Sequence, residues 1–141
     1  MRPRPVRWSV PRAALLVALA TVVAACGAPD RNSRSAARAF LDRHYVAIDL
    51  DAARGLTVSL AASKIADEIE LTRGFVIDAG VAKPRINYSL ARSDEAELKA
   101  RYVYELTIRP PGLEPFAKLV TLSLRSTADG WRVTNYSESD P

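Results

Sequence analysis

Residues 98–109, LKARYVYELTIR, alternate without a break: Leu98, Ala100, Tyr102, Tyr104, Leu106 and Ile108 fall on one side, and Lys99, Arg101, Val103, Glu105, Thr107 and Arg109 on the other. A period of two over twelve residues is the signature of a strand with one face packed and one face wet, which is how an antiparallel sheet covers a core. The reading extends outward in both directions. Upstream, past Pro84, Ile86, Tyr88 and Leu90 alternate with Asn87, Ser89 and Ala91, predicting a strand that ends near Ser93. Downstream, Pro110, Pro111, Gly112 and Pro115 force a loop. Phe116, Lys118, Val120, Leu122 and Leu124 then share one side of a third strand. Asp129-Gly130 is a hairpin turn, and Trp131, Val133 and Asn135 alternate with Arg132, Thr134 and Tyr136 in a last strand.

Before Pro84 the period changes. Ala37, Phe40, Leu41, Tyr45 and Ile48 recur at helical spacing and predict an amphipathic helix from Ala36 to Ile48, capped by Ser33 or Ser35. Asp51 is a suitable N-cap for a short second helix through Ala52, Ala53 and Leu56, weakened by Gly55. A third helix over Leu60 to Thr72 places Ala62, Ile65, Ala66 and Ile69 on one side and closes at Arg73-Gly74. Helices first and antiparallel strands afterwards make an α+β fold, with N-terminal helices packed on a curved antiparallel sheet of about four strands.

The chain carries 20 Lys plus Arg against 16 Asp plus Glu, and the four arginines among the first 25 residues account for the whole excess. The remainder is neutral, which argues against nucleic acid as a partner. Arg2, Arg4, Arg7 and Arg12 precede thirteen uncharged residues, Ala13 to Ala25. That order is the n-region and h-region of a secretory signal, and the run is too short to span a bilayer, which takes about 20 residues. Residues 26–34, rich in Gly, Pro, Asp, Asn and Ser, read as a flexible tether, and residues 35–141 as one domain.

Val23-Ala24-Ala25-Cys26, closing the apolar run, resembles the bacterial lipobox. The resemblance implies cleavage between Ala25 and Cys26 and a diacylglycerol on the Cys26 thiol. It also implies a cell-envelope location with the membrane as a partner, in the periplasmic leaflet of an outer membrane if the cell has one, since Gly27 rather than Asp follows the cysteine. Ordinary signal cleavage that leaves Cys26 a free thiol, and an uncleaved membrane anchor, are the competing accounts; an unpaired thiol on an exported N-terminus is a liability. The order of the predicted helices, with the closing Asp129-Gly130-Trp131-Arg132-Val133, resembles the nuclear-transport-factor-2-like, cystatin-like cone over residues 35–138. That fold hosts many activities and does not fix one.

Enzymes on the cone place an acid or base and tyrosine or aspartate donors in its mouth. The nearest counterparts here are His44, Tyr45, Asp49, Tyr88, Tyr102 and Tyr104, which form the expected lining of any ligand pocket. The strand tyrosines also suit packed walls with hydroxyls at the rim, and a lone histidine suits a helix boundary. No set of nucleophile, base and orienting group can be named, so no catalytic residue is assigned. Asp49 and Asp51 have the spacing that opens a calcium loop, but Arg54 and Leu60 stand where its glycine and final carboxylate belong. One cysteine and one histidine give no zinc set, and no phosphate loop or hydrolase motif is present, so no metal or cofactor is expected. The sequons at Asn87 and Asn135 fall within strands, and Asp94, Glu95 and Glu97 read as solvated charge at a strand connection. The expectation is a non-enzymatic, lipid-anchored envelope protein that binds another envelope protein or a small apolar ligand. Its outer sheet face (Arg101, Val103, Thr107, Leu119, Thr121, Arg125) and open edges are available to a partner. A dehydratase- or isomerase-type pocket enzyme is the alternative.

Overall fold

The computed structural model describes residues 32–74 and 82–141; Ala25, Cys26 and the predicted signal segment lie outside the described residues. The alternating stretch becomes β2, Lys99–Arg109, the second strand of a sheet in which β1 (Arg85–Glu95), β2, β3 (Phe116–Thr127) and β4 (Gly130–Ser139) lie side by side in chain order. Every pairing is antiparallel. In β2 the predicted faces hold: Ala100, Tyr102, Tyr104 and Leu106 are buried, and Lys99, Arg101 and Glu105 are exposed.

Three helices fill the concave side. Helix α1, Ser33–Leu41, runs into a π-helical turn, Asp42–Val46; α2 spans Leu50–Arg54 and α3 Ser59–Thr72. Phe40 and Leu41 of α1 and Ile65 of α3 meet Tyr102, Leu122 and Val133 in a single core. The helix that the sequence predicts from Ala36 therefore starts three residues earlier and changes pitch before its end. Its N-cap is Asn32, whose side chain accepts the Ser35 amide at 2.8 Å, rather than Ser33 or Ser35. Ser33 and Arg34, read as tether, belong to the folded helix.

Several boundaries differ for local reasons. Asp49, not Asp51, caps α2, accepting the Ala52 amide at 3.0 Å, so the helix begins two residues earlier than predicted. The buried positions of α3 are Ala61 and Ile65, with Ala62 and Ala66 half-buried beside them, which rotates the predicted face by one residue. β1 continues to Glu95, so Asp94 and Glu95 lie in a strand instead of a loop. Leu98 stays outside β2 and is exposed, and Phe116, the first residue of β3, is exposed as well.

Two bulges bend the sheet around the helices. Ala91 is the extra residue in β1, between Leu90 and Arg92. In β4 the extra residue is Thr134: Val133 pairs with Leu124 and Asn135 with Ser123. The second bulge brings Val133 and Tyr136, three apart, onto the same buried face, whereas simple alternation put them on opposite faces.

Candidate functional site

The six residues expected to line one pocket are distributed over separate places. His44 and Tyr45 are neighbours in the π turn, and the widened backbone lets both point inward, with ring centroids 4.4 Å apart. The His44 ring stacks on Phe40 at 5.2 Å and lies 5.1 Å from the Tyr136 ring. Its Nε2 is 2.7 Å from Glu68 Oε2 on α3, and the Tyr136 hydroxyl on β4 donates to the other oxygen, Glu68 Oε1. An ionised carboxylate can only accept, so this arrangement places a proton on His44 Nε2. Among the described residues, His44 Nδ1 is buried with no partner.

The polar belt continues along β4. The Tyr45 hydroxyl donates to Glu138 at 3.0 Å, Lys118 pairs with Glu138 at 3.1 Å, and Lys64 donates to Asn135 Oδ1 and to the Tyr136 carbonyl at 2.9 and 2.7 Å. Burial raises the Tyr45 phenol far above its ordinary range, and the nearby Glu138 carboxylate adds to the effect. Tyr136 is raised in the same way, first by burial and then by Glu68. Both phenols are held as neutral donors to carboxylates.

Tyr88 and Tyr104 sit elsewhere, with rings edge to face at 5.7 Å. With Arg34, Arg38 and Leu90 they line a recess of about 250 Å³ between α1 and β1. The Tyr88 hydroxyl donates to Asp42 at 2.6 Å, and its ionisation is raised by burial and then by that carboxylate. The Tyr104 hydroxyl is buried and has no partner among the described residues, and burial raises its ionisation too. Tyr102 is buried on a third partner, Ser33, at 2.6 Å between oxygens, and is raised mainly by burial. Asp49 is occupied as the α2 cap, with Arg43 at 3.9 Å.

A single mouth lined by all six residues is thus not assembled. His44 and Tyr45 are brought together with Glu68, Tyr136 and Glu138; Tyr88 and Tyr104 share a shallow recess with two arginines; Asp49 joins neither. Glu68 and Tyr136 escaped the sequence reading for different reasons. Glu68 reads as one of several charges on an exposed helical face, and only its i,i+4 relation to Lys64 marks the stripe that meets β4. Tyr136 was hidden by the bulge at Thr134, for which a single sequence carries no signal.

No family model matches the chain, and no curated protein matches it. Solved structures do. A Thiobacillus denitrificans protein ascribed to the calcium/calmodulin-dependent protein kinase type II association domains is 18% identical, with a TM-score of 0.62, covering 79% of this chain and 96% of its own. An NTF-2 like protein of unknown function from Shewanella oneidensis is 12% identical, with a TM-score of 0.56, over 76% of this chain and 95% of its own. The VirB8 protein of Agrobacterium tumefaciens is 14% identical, with a TM-score of 0.51, over 77% and 90%. At these identities the likeness is one of fold: the chain has the α+β, nuclear-transport-factor-2-like cone.

Proposed function

We propose that this chain is a lipid-anchored envelope protein that acts by binding and not by catalysis, using the outer edge of β1 to take up an extended segment of another envelope protein. The observation that carries the reading is the asymmetry between the two sheet edges. At the β4 edge, the Val133 amide and carbonyl are engaged by Leu56 and Val58 at 3.0 and 2.9 Å, so the linker between α2 and α3 covers it there. At the other edge, β1 is exposed on both faces from Ser89 to Glu95, and among the described residues only β2 pairs with it. Arg92, Asp94, Glu95 and the bulge at Ala91 protect this edge from indiscriminate pairing and leave it to a partner of matched charge.

Two experiments test the parts separately. Intact mass of the native protein reports the state of Cys26: a diacylglycerol thioether beginning the mature chain is expected, and Cys26→Ala should abolish acyl labelling. A bare thiol, or labelling that survives in that variant, refutes the anchor. For the edge, a photo-cross-linker at Ser89 in native envelopes should yield one discrete adduct that the same group at Asp67 on α3 does not. Equal labelling from both positions refutes it. The alternative of a dehydratase- or isomerase-type enzyme draws on the His44 contact with Glu68. The engagement of Asp49 as the α2 cap and of Tyr102 by Ser33 supports the binding reading over that chemistry.

A further inference from the structure

We infer that the end of the cone from which α1 departs carries a headgroup groove, a site for the phosphates of anionic phospholipids, by which the domain sits on the bilayer surface. The register places Lys99 opposite Arg125, and Arg125 opposite Arg132, in one cross-strand row. Adjacent strands are about 4.8 Å apart, and like charges directly opposite oppose sheet formation. The neighbouring pair is of opposite charge, Asp94 standing across from Arg101 between β1 and β2. Among the described residues no ion pair reaches Lys99, Arg101, Arg125 or Arg132, and the Arg132 guanidinium donates only to the Trp131 carbonyl at 3.0 Å.

Lys99, Arg101 and Arg125 line a groove of about 440 Å³, in which Asp94 is the one carboxylate. Glu95 is taken by Arg34, and Glu97 and Asp129 lie in the two hairpin turns outside the lining. Ser59, the first residue of α3, closes the groove from the helical side. That helix has no side-chain cap and no acidic residue in its first turn, so its positive end adds to the field of the three cations. Arginine pairs with phosphate oxygens through two parallel bonds, which suits a phosphodiester better than a point charge.

Two further observations choose a lipid surface over a soluble phosphate. Leu60 and Leu98, 53% and 61% exposed, are the chain neighbours of Ser59 and Lys99 and add exposed apolar side chains at this end of the fold. A basic surface rimmed by apolar residues is the composition that settles at a headgroup boundary. The start of the described chain is also at this end: Ser33 bonds Tyr102, and Arg34 pairs with Glu95 at 3.1 Å, beside the turn between β1 and β2. Cys26 precedes Ser33 by seven residues, which span at most about 25 Å. In this respect the inference rests on the lipid anchor proposed above, and a lipid on Cys26 would hold the groove against the membrane.

The test removes the anchor so that the two proposals fail independently. Full-length protein carrying Cys26→Ala is sedimented with phosphatidylcholine vesicles and with vesicles containing about a third phosphatidylglycerol. The apolar N-terminal run contributes equally to every variant, so differences report the groove. Phosphatidylglycerol should increase binding, and Lys99→Gln with Arg101→Gln and Arg125→Gln should weaken the increment about 100-fold. Arg43→Gln with Arg109→Gln, away from the groove, should leave it unchanged. If the triple variant loses its circular dichroism, Leu98→Asp replaces it and should also weaken binding. The inference is overturned by binding indifferent to phosphatidylglycerol, by groove variants that bind like the parent, or by millimolar inorganic phosphate displacing the protein from the vesicles. None of those results bears on the mass of native Cys26.

Discussion

Glu68 joins three elements through one carboxylate: it is carried by α3, approached by His44 from the π turn and bonded by Tyr136 from β4. Deleting it strands two polar groups in a largely buried place, which costs about 1–3 kcal/mol, moderated because the Glu68 side chain is itself 36% exposed and water can enter. We expect Glu68→Ala to lower the urea midpoint by an amount in that range, and Glu68→Gln by less, since an amide still accepts from one partner. Equal losses for the two variants would show that packing, not the carboxylate, holds the three elements. The tyrosines in adjacent core positions of β2 give a sharper contrast. Tyr102→Phe removes the bond to Ser33 and should cost about 1 kcal/mol. Tyr104→Phe removes a buried hydroxyl that has no partner among the described residues, and should be neutral or stabilising in the same urea titration.

Elements that rest on periodicity alone were legible in the sequence, and those that depend on a break in periodicity were not. β2 was readable from its alternation because each side chain has one face to occupy. The bulge at Thr134, which turns Tyr136 inward, is decided by curvature around α1 and α3, a tertiary effect. The same holds for the π turn, which makes His44 and Tyr45 both inward-facing. So the candidate residues were named individually, but their grouping, and the partners Glu68 and Glu138, were not. The π turn closes through Asp49 N–H donating to the Arg43 carbonyl at 2.8 Å, with Ile48 at φ 56° in the left-handed region. A β-branched residue is strained there by about 1–2 kcal/mol. Ile48→Gly should therefore raise stability or leave it unchanged, despite the usual loss on placing glycine, and a fall above 1 kcal/mol would mean that the side chain packs more than its exposure suggests. At the other end of α1, truncation to Ser35 removes Asn32 and Ser33, and with them the cap and the Tyr102 bond. Thermal unfolding of that truncation should come several degrees below that of a chain beginning at Arg31.

Across the whole molecule the tyrosines act in one direction. Tyr45, Tyr88, Tyr102, Tyr104 and Tyr136 are all raised above their ordinary ionisation range, with burial the first cause in each case. In the unfolded chain each ionises near pH 10, while in the fold each holds its proton to higher pH. Their contribution to stability is therefore complete below about pH 10 and is lost as pH rises from there through the folded values, because the unfolded chain gives up protons first. We expect an unfolding free energy insensitive to these groups through neutral pH, followed by a steep alkaline decline in which phenolate absorbance and loss of circular dichroism rise together. The diagnostic is a variant. Tyr45→Phe with Tyr136→Phe removes the two phenols that donate to Glu138 and Glu68 and should flatten the decline while lowering stability at neutral pH. Phenolate absorbance that completes near pH 10 with secondary structure intact would mean that the rings reach solvent in the folded state. The belt between the π turn and β4 would then be a surface feature, and the cone would be open where the structure has it filled.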